Sequence, residues 1–240
     1  KTKVTETTAS KTTNWEWSFT NQPKYEAKAL IDYDVEEVPV NVAGYSGAMT
    51  SDGKADSAGN TTDVVFTNSY TPETTAVSGT KVWDDNHDQD GKRPESITLN
   101  LYQNGSDTAY KTLTLNPDDK SADTWDWSFN DLPKYSEGKL ITYRVEEVAV
   151  TGYNAPEYSA DGKTITNKRV PETTEVSGIK VWDDVDDQDG KRPASVTIRL
   201  LADDTEVDNR TLTAATGWDF SFTDLPKYNN GSEIAYTVSE

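Results

Sequence analysis

The sequence predicts an all-β protein made of tandem β-sandwich repeats, and two observations support this. The segment Val77–Asp85 returns almost unchanged 99 residues later as Val176–Asp184, and a period of this size indicates repeated domains that are each large enough to bury a modest core. Several short segments alternate apolar and polar residues with period two, and no stretch keeps a helical period over three turns. The chain is therefore expected to contain several small β-domains.

An aromatic block marks three copies of the repeat. It occurs at Trp15–Phe19, Trp125–Phe129 and Trp218–Phe222, and each time Pro-Lys-Tyr and a Tyr-x-Val-x-Glu segment follow. Alignment on this block predicts three domains, which we call the first, middle and third repeats. The first repeat, residues 1–72, is expected to lack its N-terminal strands. The middle repeat, residues 73–171, is expected to be complete, and the third, residues 172–240, to lack its C-terminal strands. The chain is expected to be an excerpt of a longer array.

The middle repeat has the pattern of short strands separated by turns. In Ser96–Tyr102, alternation places Ile97, Leu99 and Leu101 on one face, and the Asn104-Gly105 pair that follows favours a tight hairpin. Further strands are expected at Lys81–Trp83, Tyr110–Leu115, Trp125–Phe129, Ile141–Glu147 and Lys163–Asn167. Six or seven strands at this spacing predict an antiparallel sandwich.

Short linkers join the repeats, at Thr71–Thr75 and Val170–Thr174. Both contain proline, which fixes φ, and threonine, which is stiff at χ1. We therefore expect semi-rigid modules placed end to end, in contact with their neighbouring repeats in cis.

The composition excludes several classes of partner. The net charge is −19, which argues against nucleic acid or an anionic membrane, since both are polyanions. No apolar run approaches the length that spans a bilayer, so no membrane insertion is expected in this segment. There are no cysteines and therefore no disulfides, and the abundance of β-branched and aromatic residues favours extracellular β-modules.

Three polar residues fall on strand faces that are otherwise apolar. Strand alternation turns Lys81, Glu147 and Asn167 inward together with their apolar neighbours. Burying each of them without a partner would cost several kcal/mol, so an amine, a carboxyl and a carboxamide in one core call for a joint explanation.

One explanation is covalent. Desolvation lowers the pKa of a lysine and raises that of a glutamate, so a neutral Lys81 amine is a nucleophile. A protonated Glu147 would donate to the side-chain oxygen of Asn167 and polarise its carbonyl carbon. Attack and loss of ammonia would leave a Lys–Asn amide in a single turnover. From the residues alone, a buried salt bridge beside a hydrogen-bonded asparagine remains the alternative.

These segments resemble the collagen-adhesin B-type (CnaB) domains of Gram-positive surface proteins and pilins, and the resemblance covers the whole chain. The residues that carry it are Lys81, Tyr143–Glu147, Gly152-Tyr153 and Ile165–Asn167. It implies tandem prealbumin-like, inverse immunoglobulin-like sandwiches. It also implies an isopeptide bond between Lys81 and Asn167, with Glu147 as the catalyst.

The outer repeats carry parts of the same site. In the first repeat Glu37 and Asn68 match, but the lysine is missing; in the third repeat Lys180 and Glu240 match, but the asparagine is missing. One complete bond is therefore expected within the chain. A further hypothesis is that Lys180 reaches Asn68 of a neighbouring chain.

The expected function is structural. The repeats would be stalk modules of a cell-wall-anchored, extracellular adhesin, whose host-matrix ligand is bound by another region of the parent protein. The alternative is a binding module that contacts a matrix protein or glycan through an exposed aromatic surface. The exposure of Trp125 and Trp127 distinguishes the two, and alternation favours a core position for both. Neither a turnover enzyme nor a cofactor is expected.

The acidic turn of the middle repeat is a candidate metal site. Residues Asn86–Gly91 resemble the start of an EF-hand loop, but its twelfth position is Ile97, and Val185 occupies its first position in the third repeat. A solvated turn without metal is therefore expected. His87 is the only histidine, and Asp186 replaces it in the third repeat, so no zinc or His-based catalytic site is expected. The Asp-Gly-Lys-Arg-Pro motif is expected to fix a turn and charge pairs.

Overall fold

The computed structural model describes residues 2–52 and 63–240. The chain divides into two compact units, Lys1–Thr71 and Pro72–Glu240, and the second unit contains the middle and third repeats. Among the described residues the only helices are two single 3₁₀ turns, Lys11–Thr13 and Ala214–Thr216. None of the described segments forms a helix long and apolar enough to cross a membrane.

The first unit consists of two antiparallel strand pairs. Strands β1 (Tyr25–Glu26) and β2 (Ala29–Leu30) form a short hairpin, and β3 (Tyr45–Asp52) pairs with β4 (Val64–Tyr70). The described part of this unit has no fully buried residue, because it offers no second sheet that could cover the inner face of β3 and β4.

The middle repeat has nine strands, six of them at least five residues long, as the alternation predicts. They are β5 (Thr74–Asp84), β6 (Ile97–Gln103), β7 (Lys111–Leu115), β8 (Thr124–Pro133), β9 (Tyr135–Ser136), β10 (Lys139–Leu140), β11 (Tyr143–Glu147), β12 (Glu157–Tyr158) and β13 (Thr164–Lys168). One sheet has the order β12-β13-β5-β8, the other has the order β11-β6-β7, and β9 and β10 form a separate hairpin.

The first and last strands of the middle repeat are parallel. In the β5–β13 ladder, Ile165 lies opposite Lys81 and Asn167 opposite Trp83. The expectation of an antiparallel sandwich is therefore wrong for this pair, although the other ladders are antiparallel. Parallel neighbours need a long crossover connection, and here the rest of the repeat forms that connection. This pairing brings the lysine strand next to the asparagine strand.

The Asn104-Gly105 turn forms, but it does not make a tight hairpin. Both residues have positive φ, 48° and 74°, whereas β7 begins only at Lys111. Asn104 instead pairs with Thr142: its N–H donates to the Thr142 oxygen at 2.9 Å, and its Oδ1 accepts from the Thr142 N–H at 3.0 Å. These bonds extend the pairing of β6 towards β11, so the chain returns to β7 through the longer loop 104–110.

The core of the middle repeat lies between its two sheets. Leu99 and Leu101 are fully buried and Ile97 is 3% exposed, so the face predicted for this strand is confirmed. Trp125 and Trp127 are also buried, with exposures of 2% and 3%. The two tryptophans therefore belong to the core.

The third repeat repeats this plan with a smaller core. Its strands are β14 (Thr173–Ile179), β15 (Ser195–Ala202), β16 (Thr205–Thr213), β17 (Asp219–Pro226), β18 (Tyr228–Asn229), β19 (Ser232–Glu233) and β20 (Tyr236–Ser239). Strand β14 ends at Ile179, before Lys180, whereas β5 continues past Lys81 to Asp84. The difference follows from pairing, because β13 binds the second half of β5 and no described strand does so for β14.

Candidate cross-linking site

Three strands from both sheets bring the predicted site residues together. Strand β5 carries Lys81, the adjacent β13 carries Asn167, and β11 of the opposite sheet carries Glu147. Lys81 and Asn167 are fully buried and Glu147 is 8% exposed. The prediction that all three side chains point into the core is confirmed.

The Glu147 carboxylate lies between the amine and the carboxamide. Its Oε1 accepts a hydrogen bond from Asn167 Nδ2 at 2.9 Å, and its Oε2 is 3.9 Å from Lys81 Nζ. The Lys81 amine also donates to the backbone oxygen of Val82 at 2.7 Å and, at 3.5 Å, to that of Ile165. One carboxylate therefore contacts both groups that an amide-forming reaction would join.

The contact between Glu147 and Asn167 differs from the expected one in its atoms. The sequence predicts a protonated Glu147 that donates to the side-chain oxygen of Asn167. The carboxylate instead faces the nitrogen, and both Asn167 Oδ1 and Glu147 Oε2 are buried without a hydrogen-bond partner. This geometry suits proton delivery to the amide nitrogen, which would be the leaving group, better than polarisation of the oxygen.

Burial moves both titratable groups towards their neutral forms. Desolvation lowers the pKa of Lys81 to about 8, although the carboxylates of Glu147 and Asp85 oppose it. Desolvation also raises the pKa of Glu147, against the opposing effects of Lys81 and the Asn167 hydrogen bond. A neutral amine beside a neutral acid is the pair that amide formation requires.

Aromatic rings keep the amine away from water. Lys81 Nζ lies 4.1 Å from the centroid of the Trp83 ring. Trp83 packs in turn against Trp125 and Tyr153, each with ring centroids 4.9 Å apart. These apolar walls account for the desolvation that lowers the pKa of the lysine.

A second buried cluster supports the turn that follows β5. Arg93 donates to both oxygens of Asp85, from Nε at 2.8 Å and from Nη2 at 2.6 Å, and the Tyr153 hydroxyl donates to Asp85 Oδ2 at 2.6 Å. Burial alone would raise the pKa of Asp85, but these bonds lower it to about 2. The charge-pair role of the Asp-Gly-Lys-Arg-Pro motif is thus confirmed.

The expectation that the acidic turn Asn86–Gly91 is solvated is wrong for Asp90, and Asp85 directly before the turn is buried as well. Asp85 is 3% exposed and Asp90 is 4% exposed, because each carboxylate binds an arginine. Sequence reasoning assigned charge pairs to this motif but did not identify Asp85 and Tyr153 as its partners. The recurrence of Asp-Asp and Lys-Arg at matching positions in the third repeat was the available signal.

Each outer repeat reproduces half of the site. In the first repeat Asn68 Nδ2 donates to Glu37 Oε1 at 2.7 Å, as Asn167 does to Glu147. In the third repeat Lys180 Nζ lies 2.9 Å from Glu240 Oε2. The hypothesis that Lys180 reaches Asn68 of a neighbouring chain stays a prediction.

The fold and the site together define a class of protein: tandem, cysteine-free β-sandwich repeats. The middle repeat buries a lysine of its first strand beside an asparagine of its last strand and a glutamate of the opposite sheet. Comparison with known families narrows this class. The family of the Cna protein B-type domain matches residues 1–67, 77–168 and 176–240, and the chain belongs to this family. The prealbumin-like sandwich implied by the resemblance is therefore confirmed.

Two relatives illustrate the similarity. A collagen adhesin of Staphylococcus aureus is 42% identical over 231 residues, which cover 95% of this chain and 18% of the adhesin. The crystal structure of two B repeat units (B1B2) of the collagen binding protein of S. aureus superposes with a TM-score of 0.61 at 38% identity. It covers 96% of this chain and 57% of that one. The chain thus spans less than a fifth of the curated adhesin.

Proposed function

We propose that this chain is a run of stalk modules from a cell-wall-anchored surface adhesin. The modules, residues 1–72, 73–171 and 172–240, would hold a ligand-binding region of the parent protein away from the cell. Membership of the B-type family, tandem repetition and short proline-containing linkers support this. The similarity to a collagen adhesin supports an extracellular location and a host-matrix ligand that is bound elsewhere in the parent.

We further propose that the middle repeat closes itself with a Lys81–Asn167 isopeptide bond. The lysine ammonium passes a proton to Glu147, and the neutral Nζ attacks Asn167 Cγ. Glu147 then returns the proton to Nδ2 and takes a second proton from the attacking Nζ. The bond between Cγ and Nδ2 breaks, and the departing ammonia accepts that second proton from Glu147 and leaves as ammonium. One C–N bond forms as another breaks, and Glu147 ends as it began. The supporting observation is the placement of its carboxylate, in contact with both the amine and the departing nitrogen.

The position of this bond in the topology explains its use in a stalk. Strands β5 and β13 are the first and last long strands of the repeat and lie side by side. Tension that enters through one linker and leaves through the other would pass across the amide between them. The intervening strands would then carry no load, and unfolding them by force would require a covalent bond to break.

Single-molecule pulling on the full chain tests this function. With the bond, the residues between Lys81 and Asn167 add nothing to the extension when the chain is stretched. The Lys81→Met variant cannot form the bond, so the same segment should add roughly 300 Å, at about 3.5 Å per residue. The matched control is Lys180→Met, at the corresponding position of the third repeat, and it should leave this increment absent. An increment of that size in the unmodified chain would contradict the proposal.

The alternative of an aromatic binding surface loses its specific support. It required Trp125 and Trp127 to be exposed, whereas both are buried at 2% and 3% exposure. Their rings therefore pack inside the sandwich, and the middle repeat presents neither of them to a glycan or matrix protein.

A further inference from the structure

The middle and third repeats touch through two glycines that lie outside either core. The Gly231 N–H donates to the Gln89 oxygen at 3.0 Å. A Cβ added to Gly91 would lie 2.5 Å from Gly231 Cα, and a Cβ added to Gly231 would lie 3.0 Å from Gly91 Cα. Real Cβ atoms essentially never approach other atoms as closely as 2.5 Å, so this contact requires a residue without a side chain.

The loop that contains Gln89 and Gly91, residues 88–93, also binds the linker between the repeats. Asp90 Oδ2 accepts from Arg169 Nε at 2.9 Å and from the Glu172 backbone N–H at 3.1 Å. The Glu172 oxygen accepts in turn from the Lys227 N–H at 3.0 Å. The loop is thereby connected to the third repeat through the linker as well as directly through Gly231.

The corresponding loop of the third repeat, residues 187–192, has the same shape, and no turn within the described part of the chain contacts its glycine. The Gly190 N–H donates to the Asp187 oxygen at 2.8 Å, as the Gly91 N–H does to the Asp88 oxygen at 2.8 Å. The φ angles of the two glycines are 61° and 64°, and a Cβ on Gly190 would meet nothing within 4 Å. The loop therefore does not need the contact to adopt its conformation, and a preorganised surface binds at lower entropic cost.

The turn that meets the loop recurs as well. Asn230-Gly231 has φ values of 48° and 78°, and Glu137-Gly138 of the middle repeat has 50° and 75°. In the first repeat the second position of this turn is Lys28, with φ 73°. Lys28 therefore has a side chain at the position equivalent to Gly231, where the contact with Gly91 leaves no room for one.

We propose that the loop 88–93 is a docking surface for the glycine turn of the following repeat, and that this contact sets the angle between the two. The partner surface is a two-residue turn with glycine at its second position. The loop 187–192 of the third repeat offers the same surface to such a turn in another repeat of this kind. Asp90 is buried in the docked loop, whereas Asp189 is exposed in the free one. This contact between the loop 88–93 and the turn Asn230-Gly231, which we call the joint, involves none of the cross-linking residues. Its test is therefore independent of the isopeptide bond.

A distance measurement on the full chain tests the joint. The chain has no cysteines, so Asp107→Cys and Thr205→Cys, both exposed, allow one spin label on each repeat. The labelled chain without further substitutions should give one narrow distance distribution. Gly231→Ala should shift this distribution or widen it by roughly twofold, since domains without a fixed contact move relative to each other. Gly138→Ala is the matched control, because this glycine has nearly the same φ, 75° against 78°, and the same turn position, but its added Cβ meets nothing within 4 Å.

A second pair of variants keeps the test decisive if Gly231→Ala disturbs its own hairpin. Asp90→Asn should widen the distribution, because the amide replaces a carboxylate that accepts from Arg169 and from the linker backbone. Asp189→Asn should leave it unchanged. Equal distributions for Asp90→Asn and Asp189→Asn, or a distribution that is already broad in the labelled chain without further substitutions, would overturn the proposal.

Discussion

At the scale of single residues, burying Lys81 is costly, because an amine that is charged in water loses its hydration when the side chain is fully buried. Strand alternation was enough to predict that Lys81, Glu147 and Asn167 face inward, since period two assigns every residue of a strand to a face. It was not enough to predict which amide atom meets Glu147. That choice depends on rotation about the Asn167 Cβ–Cγ bond, which the strand pattern does not determine.

The protonation of this pair predicts a bell-shaped pH dependence of bond formation. In the reactive state only one of the two groups, Lys81 or Glu147, carries the titratable proton. Because the two groups interact, the apparent pKa values describe the pair and not either residue alone. As pH falls through the raised pKa of Glu147, both groups become protonated and the amine loses its nucleophilic lone pair. As pH rises above about 8, the pKa to which burial lowers Lys81, the pair loses the proton needed by the leaving nitrogen.

Refolding from denaturant measures this profile. Unfolded protein without the Lys81–Asn167 bond is refolded at a series of pH values. Samples are quenched at intervals, and the fraction with the bond is measured by intact mass. The rate should be greatest between the raised pKa of Glu147 and about 8, and decline on both sides. A rate that continues to rise with pH well above 8 would show that the amine alone controls the reaction and that Glu147 supplies no proton.

At the level of elements, the decisive feature is the parallel pair of β5 and β13. The sequence predicted both strands and their inner faces, but not their relative direction. Alternation specifies which side of a strand is apolar, whereas the neighbour and its direction depend on long-range topology. The length of β5 was underestimated for the same reason, since the strand begins at Thr74, and its first residues pair with β8 ahead of the short strand Lys81–Trp83 that the pattern indicated.

Loss of the bond between these strands should destabilise the middle repeat. A bond from Lys81 to Asn167 closes a loop of about 87 residues, and by analogy with disulfides this lowers the entropy of the unfolded chain by an equivalent of about 4–5 kcal/mol. The Lys81→Met variant should therefore unfold at a clearly lower temperature in calorimetry. Methionine fills a similar volume without a charge. The loss of stability therefore reflects the missing bond more than a change in packing.

The comparison variant for this measurement is again Lys180→Met. Lys180 occupies the matching place in the third repeat, and its ion pair with Glu240 is partly exposed, so an effect within about 1 kcal/mol is expected. If Lys81→Met were equally mild, the two strands would not be joined covalently.

Over the whole molecule, the sequence predicted the number of copies, because the aromatic block and the Tyr-x-Val-x-Glu segment each occur three times. It also predicted short linkers, but not the joint between the middle and third repeats. That joint depends on the backbone of Gln89 and Gly231, and backbone groups leave no composition signal. The sequence interpretation placed Gly91 in a turn and assigned no role to Gly231.

The central claim is that the middle repeat contains one Lys81–Asn167 amide bond, and intact mass under denaturing conditions tests it most directly. The chain should weigh about 17 Da less than its sequence, the mass of the ammonia expelled when an amine displaces an amide nitrogen. Glu147→Ala should restore the full sequence mass expected for that variant, whereas Glu37→Ala, in the incomplete first repeat, should retain the deficit. An unmodified chain at its full sequence mass would contradict the account.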